Sequence, residues 1–259
     1  MIFCGTTLQS RIEWGKNEIA GPRHEYREGL MIATLRGVRR AHVLDAGCGS
    51  GSLAIKLARV GLTVEAIDLS PDFVALVRRK VREAGVSEQV IVRQMDVTRL
   101  EFPDRSFDIV TSGELLEHVA DDKKAIDEFA RVLKPGGLCI ATVPANPKLW
   151  SLCDEWAGHK RRYSKEALKA LFCSGGFDAI SISHWGFPMI WVYDRLLFQR
   201  YALRMMGRAP EEQREHMLTK LGTNTVVCRV LASIFLVDRL FFWCDWGPGL
   251  LLRARRTER

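Results

Sequence analysis

The residues most suited to chemistry lie between Val43 and Gly51, where the chain reads VLDAGCGSG. An apolar run that leads into a glycine-rich turn and then a helix is typical of a nucleotide-like ligand site in an open α/β sheet. Asp45, just ahead of the glycines, would repel a pyrophosphate but favours a ligand with positive charge. A dinucleotide fingerprint starting at Gly47 would need glycine at position 52, where this chain has Ser52. The pattern predicts S-adenosylmethionine (SAM), which carries a sulfonium and an amino group.

Two further acids end predicted strands at the edge of the sheet where such ligands bind. Asp68 lies at about the interval expected for an acid that hydrogen-bonds ribose hydroxyls, although it could instead cap the next helix. Asp96 could accept a hydrogen bond from an adenine amino group, with Val97 against the ring. Asp96 could equally be a solvated loop acid.

A third group follows the predicted fourth strand and consists of Glu114, Glu117 and His118, with His159 further along the chain. Two carboxylates and two imidazoles could hold a divalent cation that orients an acceptor hydroxyl and lowers its pKa. Without a metal, His118 or His159 could act as a general base or position the acceptor. The group could also be purely structural, and all three interpretations stay open at this point.

The loop from residue 150 to residue 163 occupies a position suited to the acceptor, since binding residues concentrate on loops over a rigid scaffold. Its arginines could bind phosphate or carboxylate in bidentate fashion, and its aromatic side chains could stack on a ring. The alternative is that the arginines are solvated or pair with Asp154 and Glu155. We predict acceptor contacts at Trp150, Arg161, Arg162 and Tyr163.

Alternating strands and helices must position these residues. The alternation implies a mostly parallel sheet with helices on both faces. Strands are predicted at His42–Ala46, Thr63–Asp68, Val90–Met95, Phe107–Thr111, Leu138–Val143, Phe177–Ser183 and, as a last strand, Leu250–Ala254. Helices are predicted at Arg23–Arg36, Ser52–Arg59, Pro71–Ala84, from residue 121 or 122 to Leu133, and from Ser164 as cap to Cys173.

The alternation stops at Trp185, and the chain to about Trp246 is helical in pattern and unusually apolar. Arginines interrupt its apolar residues, as in a helix that lies at a membrane interface. Such a stripe could equally pack on the sheet or form a dimer contact. Two similar segments, Tyr193–Phe198 and Val237–Phe242, could form an antiparallel helix pair over the mouth of the site.

Taken together, these motifs resemble those of class I SAM-dependent methyltransferases, in the methyltransferase-11/ubiquinone O-methyltransferase-like group. The resemblance covers about residues 38–184 and the final strand, and rests on Asp45–Gly51, Asp68, Asp96-Val97, Phe107–Val110, Leu116–Val119 and Leu133–Gly137 in that order. It implies a Rossmann-like, seven-stranded, mostly parallel α/β sheet whose last strand is antiparallel and inserted between strands five and six.

The resemblance also implies roles for single residues. The catalytic candidates are His118 and His159. The spacing of Glu114, Glu117, His118 and His159 is similar to the metal site of the small-RNA 2′-O-methyltransferases and to the matching segment of ubiquinone-pathway O-methyltransferases. The cofactor SAM would contact Asp45, Ala46, Gly47, Cys48, Gly49, Gly51, Asp68, Leu69, Asp96, Val97, Gly113 and Glu114.

Composition limits the class of protein further. The chain has 259 residues, a net charge of +7 and 47% hydrophobic residues, which is ample for a core and excludes disorder. The charge favours an anionic partner, such as nucleic acid, an acidic substrate or a membrane surface, or simply reflects a basic enzyme. Seven cysteines without a C-x-x-C pair suggest a reducing cytoplasm. Charges interrupt every candidate span and follow the N-terminus closely, so we expect neither a transmembrane helix nor a signal peptide.

We therefore predict a cytoplasmic SAM-dependent methyltransferase that O-methylates a hydrophobic or lipid-linked small molecule, with peripheral contact at the inner face of the membrane as a further hypothesis. The alternatives are a metal-assisted RNA 2′-O-methyltransferase, which the apolar segment disfavours, and a SAM-binding partner protein without turnover. N- and C-methylation stay open. The predicted parts are a helical cap (1–37), the SAM-binding core (38–184), an apolar helical insertion (185–247), and the last strand with a basic tail (248–259).

Overall fold

A computed structural model of the chain describes residues 21–205 and 224–258. The first twenty residues of the predicted cap, residues 206–223 of the predicted insertion and Arg259 lie outside the described residues. The strands are β1 His42–Ala46, β2 Thr63–Asp68, β3 Val90–Gln94, β4 Phe107–Gly113, β5 Leu133–Pro144, β6 Phe177–Trp185 and β7 Gly249–Arg256. The α-helices are α1 Pro22–Ala33, α2 Ser52–Arg59, α3 Pro71–Glu83, α4 Asp122–Val132, α5 Leu152–Ala157, α6 Lys165–Ser174, α7 Met189–Tyr193, α8 Gln199–Met205 and α9 Thr225–Ile234.

These strands form one seven-stranded sheet in the order β3-β2-β1-β4-β5-β7-β6. The neighbours from β3 to β5 pair in parallel, and β7 pairs antiparallel with both β5 and β6. The sheet prediction is confirmed, including the antiparallel last strand between β5 and β6. The order reverses beside β1, so the carboxyl ends of β1 and β4 flank the crevice where ligands of open α/β sheets bind.

Successive residues of a strand point to opposite faces, and both faces of this sheet are covered. Val43 of β1 belongs to a core formed with α1, α2 and α3, whereas its neighbour Leu44 belongs to a second core with α4 and α6. Burial on both sides explains why the central strands are continuous apolar runs.

The observed strand β5 begins five residues earlier than predicted. Leu133 pairs with Phe107, and an irregularity in the register follows before Leu138 pairs with Ile109. Gly136 has a φ of +69° in this stretch. The sequence Pro135-Gly136-Gly137 therefore lies inside an irregular strand, and not in a turn ahead of it, because a bulge tolerates both residue types.

The insertion leaves the sheet at Trp185 and returns at Gly249, residues that pair with each other across β6 and β7. It contains α7, a π-helix at Asp194–Phe198, α8, α9 and a 3₁₀-helix at Phe235–Phe241. Asp238 is buried and accepts hydrogen bonds from the backbone N–H groups of Met189 and Ile190, at 2.6 and 3.2 Å. The carboxylate thus caps α7 and ties the two ends of the insertion together.

The two similar segments of the insertion play different parts. Asp194 in the first faces the cap helix α1, at 3.6 Å from the Arg23 guanidinium. Asp238 in the second is the α7 cap. Their arrangement as an antiparallel pair over the mouth stays a prediction. Within the described part of the chain, no helix is both long and apolar enough to cross a membrane.

Candidate active site

The glycine-rich turn between β1 and α2 is built from left-handed backbone. Gly47, Gly49 and Gly51 have φ values of +68°, +49° and +73°. A Cβ atom on Gly51 would lie 2.6 Å from Cγ1 of Val77, so this glycine lets α2 and α3 pack closely. A Cβ on Gly49 would meet nothing within 4 Å. The turn is therefore anchored at Gly51 and open at Gly49, where its backbone is accessible to a ligand.

Asp45 is buried directly behind this turn. Its Oδ1 accepts a hydrogen bond from Oγ1 of Thr111 at 2.9 Å, and its buried Oδ2 has no hydrogen-bond partner among the described residues. Burial raises the pKa of Asp45 to about 7, although the Thr111 bond works in the opposite direction. A nearby cation would relieve this unfavourable burial of charge, so the carboxylate is suited to the positive end of SAM.

Asp68, at the end of β2, and Ser70, just after it, have different roles. The Asp68 carboxylate accepts from the backbone N–H groups of Gly49 and Ser70, both at 2.9 Å. Ser70 Oγ, not Asp68, accepts from the N–H of Phe73 and caps α3. Burial raises the pKa of Asp68 against these two backbone bonds. Asp68 therefore holds the glycine turn in place, at the edge where a ribose would lie.

The remaining predicted cofactor residues flank this edge. Asp96 is exposed and accepts at Oδ1 from the N–H and Oγ1 of Thr98, at 2.8 and 2.9 Å, while Val97 is buried. Leu69 is exposed; Ala46 and Cys48 are buried. Their contacts with SAM stay predictions.

The cap helix α1 places two arginines over the end of β4, and the sequence analysis did not identify them. The Arg27 guanidinium would lie 3.6 Å from a Cβ on Gly113. Glu114 follows with a φ of +55°, and its Oε2 lies 3.5 Å from Arg23 and 4.0 Å from Arg27. The four-residue spacing of Arg23 and Arg27 puts both on one face of α1, which was the available signal in the sequence.

Glu117, His118 and His159 form a compact group beyond β4. One potential ligand atom from each lies within 4.8 Å of the others, and the two imidazole rings meet edge to face at 4.9 Å. Glu117 is fully buried, and both its oxygens lack a hydrogen-bond partner among the described residues. Burial raises the pKa of Glu117 well above its usual value, and the negative charge of Glu114 adds to the effect.

The imidazole of His118 is suited to bind a cation, whereas its lowered pKa makes it a weak proton acceptor. Burial, and then the neighbouring His159, lower the pKa of His118 to about 4, so His118 is neutral at physiological pH. A neutral imidazole and a buried carboxylate that no described residue hydrogen-bonds are a donor set that fits a divalent cation. Glu114, the fourth predicted ligand, lies outside this group of three and faces the arginines of α1.

Asp154, expected from the sequence only as a partner for the arginines, has a wider set of contacts. It lies on α5, is 1% exposed, and accepts at Oδ1 from Nδ1 of His159 at 2.8 Å and from Nε of Arg162 at 2.7 Å. Burial opposes its ionisation, but these two bonds hold the pKa of Asp154 well below its usual range. Asp154 therefore links the loop to the histidine group.

The predicted acceptor residues have partners within the protein. Arg161 contacts Asp122 at 2.6 Å, and the Tyr163 hydroxyl donates to the same carboxylate at 2.7 Å. Arg162 donates to Asp154, and half-exposed Trp150 donates weakly to Glu155 at 3.4 Å. The pairing of Arg162 with Asp154 is the alternative raised above. Acceptor contacts at these four residues stay predictions.

The sheet order, the glycine turn and the acids at 45 and 68 are the features expected of the class I methyltransferase fold, and SAM binding at these residues stays a prediction. Residues 44–141 match the family described as "Methyltransferase domain". A ubiquinone biosynthesis O-methyltransferase of Xanthomonas euvesicatoria pv. vesicatoria (strain 85-10) is 40% identical over 122 residues, or 47% of this chain and 51% of that protein. The chain thus spans about half the length of the curated relatives it matches.

Solved structures share the fold. A Haemonchus contortus phosphoethanolamine N-methyltransferase 2 in complex with SAM aligns with a TM-score of 0.65 at 21% identity, over 95% of this chain and 56% of that one. The [4+2]-cyclase SpnF aligns with the same TM-score at 22% identity, over 93% of this chain and 84% of that one. Proteins with this fold are therefore named for different activities, so the fold does not identify the acceptor, and the acceptor chemistry must be argued from the site.

Proposed function

We propose that this chain is a SAM-dependent O-methyltransferase that acts on a hydroxyl group of a hydrophobic or lipid-linked small molecule. The group Glu117, His118 and His159 is the observation that carries the proposal, because it offers a proton acceptor at the carboxyl end of β4. The similarity to ubiquinone biosynthesis O-methyltransferases supports oxygen as the nucleophile.

Methyl transfer needs alignment, a destination for one proton and the exclusion of water. In the proposed reaction the acceptor oxygen attacks the methyl carbon, the carbon–sulfur bond breaks, and the electron pair stays on sulfur as S-adenosylhomocysteine forms. Asp45 faces the positive charge of SAM, and Asp68 holds the glycine turn that cradles it. The hydroxyl proton passes to the histidine group.

A divalent cation is a finer part of the proposal. Glu117, His118 and His159 would hold it, and a bound cation would lower the pKa of the acceptor hydroxyl. The fit rests on the buried Glu117 carboxylate, which has no hydrogen-bond partner in the part of the chain that the structure describes, and on the neutral His118. Glu114 would contribute only after a change in its contacts with Arg23 and Arg27.

The insertion supports a hydrophobic acceptor because it exposes much apolar surface. Leu240 and Trp243 are 71% and 81% exposed, and further exposed apolar side chains are Leu196, Leu197, Leu203, Val226, Val230, Ile234, Leu236 and Val237. Exposed arginines lie among them at Arg195, Arg200, Arg204, Arg229 and Arg239. Surfaces that combine apolar and basic side chains bind anionic lipid interfaces, where a lipid-linked acceptor would be presented.

The test compares one hydroxylated quinone precursor with and without a prenyl chain, dispersed in anionic vesicles, and follows S-adenosylhomocysteine formation. We expect the wild type to methylate both and to prefer the prenylated compound. The double variant Leu240→Ser/Trp243→Ser should lose that preference while it keeps activity on the short compound.

Ile91→Ser is the matched control, because Ile91 is an exposed apolar residue on β3, far from the insertion in the sheet order. It should behave as the wild type. Equal activity of the double variant and the wild type on the prenylated compound would remove the lipid part. Methylation of RNA but of neither compound would replace the proposal with the RNA alternative.

A further inference from the structure

Asp154 has four hydrogen bonds from three residues although it is almost fully buried. Its Oδ2 accepts from the backbone N–H and the hydroxyl of Ser151, at 2.8 and 3.0 Å. Its Oδ1 accepts from Nδ1 of His159 and from Nε of Arg162. The N–H of His159 also donates to the Asp154 carbonyl at 2.9 Å. A side chain held from so many directions fixes the geometry of the groups it binds.

We propose that Asp154 is the positioning residue of the active site and sets the tautomer of His159, so that Nε2 is the reactive ring nitrogen. The inference rests on the proposed function, because it assigns the atom at which that function delivers its proton. The sequence pattern alone does not indicate that Asp154 positions His159.

The donor and acceptor types of the two side chains determine the tautomer of His159. An ionised carboxylate can only accept hydrogen bonds, so the nitrogen of His159 that meets it at 2.8 Å must carry the hydrogen. In a neutral imidazole the other nitrogen, Nε2, then holds the lone pair. The ion pair with Arg162 keeps Asp154 ionised even though it is buried.

Three structural features together orient the imidazole ring of His159. Gly158, with a φ of +72°, ends α5 and reverses the chain directly before His159. The N–H of Lys160 donates to the carbonyl of Glu117 at 2.8 Å, which fastens the loop beside the residues that follow β4. The imidazole rings of His118 and His159 then meet edge to face. With Nδ1 committed to Asp154, Nε2 is the nitrogen left for the group of Glu117 and His118.

This arrangement has the logic of a base held by an orienting carboxylate. As the acceptor oxygen forms its bond to the methyl carbon, its proton moves to Nε2, and the Asp154 carboxylate stabilises the imidazolium that results. If a divalent cation occupies the group, the same nitrogen is the one available to bind it, and a carboxylate on the opposite nitrogen is the usual support for such a histidine.

The tautomer can be measured directly by nitrogen-15 NMR of the full chain labelled at histidine, with His159→Gln used to assign the signal. We expect the wild-type spectrum to show hydrogen on Nδ1 of His159 and a lone pair on Nε2. Hydrogen on Nε2 in the wild type would overturn the proposal.

Asp154→Asn provides the kinetic arm. It should populate both tautomers and lower kcat about 100-fold or more, the scale of general-base catalysis, with the KM for SAM changed less than about threefold. Ser151→Ala removes another partner of the same carboxylate without touching His159, and should keep both the tautomer and kcat. A fall in kcat of equal size in both variants would make Asp154 merely structural and would refute the assignment.

The two proposals fail in different ways. If His159 has the expected tautomer but no hydroxylated acceptor is methylated, the proposed function fails and the assignment of Asp154 stands. If an acceptor is methylated while Asp154→Asn changes neither the tautomer nor kcat, the assignment fails alone.

Discussion

Substitution of Gly51 by alanine should destabilise the protein far more than the same change at Gly49, two residues earlier. Both glycines have left-handed backbone, with φ values of +73° and +49°. Alanine in that conformation costs roughly 1–2 kcal/mol. Only at Gly51 does the new Cβ also meet a neighbour, at 2.6 Å from Cγ1 and 2.8 Å from Cγ2 of the fully buried Val77.

Overpacking of a buried site adds about 1–3 kcal/mol. We therefore expect Gly51→Ala to lower the free energy of unfolding by roughly 2–5 kcal/mol, and Gly49→Ala by roughly 1–2 kcal/mol. For a chain of this size each kcal/mol corresponds to a shift in Tm of roughly 2–4 °C. Urea unfolding and thermal melts would measure both values.

The double variant Gly51→Ala/Val77→Ala isolates the steric part, because the shorter side chain makes room for the new Cβ. It should be more stable than the sum of the two single changes by about 1–2 kcal/mol, within the range of couplings between residues in contact. Strict additivity would refute the idea that Gly51 is needed for the approach of α2 to α3.

Gly49→Ala should show the opposite balance between stability and cofactor affinity. Its Cβ would project into the open space above the turn. We expect calorimetry to give a SAM affinity at least about tenfold weaker, equivalent to about 1.4 kcal/mol, in a protein that remains folded. Unchanged affinity would mean that SAM does not lie over this part of the turn.

Two further predictions follow from buried carboxylates. Burial raises the pKa of Asp45 to about 7, so the stability that the protonated Asp45 carboxyl contributes is present at acid pH and is lost as the pH rises through 7. SAM affinity should change in the opposite direction and rise about tenfold between pH 6 and pH 8, because the carboxylate ionises over this range. Asp45→Asn should bind SAM weakly with no such pH dependence in calorimetry, and a parallel rise in the variant would contradict the assignment. Glu117→Gln should raise Tm at neutral pH without added metal, since the raised pKa of Glu117 means that its ionisation destabilises the fold as the pH rises. Added Mg²⁺ should raise the Tm of the wild type alone, and an equal shift in Glu117→Gln would place the cation elsewhere.

Much of the fold is encoded in local sequence patterns, and those parts are predictable from the sequence. Ser70 followed by Pro71 marks the start of α3, and Ser70 does cap that helix. The direction of β7 is different, because an apolar run such as Leu250–Leu252 carries no sign of its orientation. Its antiparallel pairing was inferred from the resemblance to a family, and not from these residues.

The site was predicted unevenly for a related physical reason. Asp45 and Asp68 lie at strand ends, so their positions follow from chain order alone. Asp154 and Arg23 act through partners more than a turn of helix away or on other elements, and such pairings arise only from packing. The same applies to Arg162, whose charge is neutralised by the buried Asp154.

The pairing of Trp185 with Gly249 has a consequence for the evolution of this chain. The two ends of the insertion are adjacent backbone partners, and a Cβ on Gly249 would strike the Trp185 ring at 2.3 Å, so the closure point is tightly packed. A segment whose ends already meet can be lengthened, shortened or exchanged at little entropic cost to the sheet. The insertion could thus be exchanged as one unit between related chains, while the glycine turn between β1 and α2, on the other side of β4, keeps its geometry.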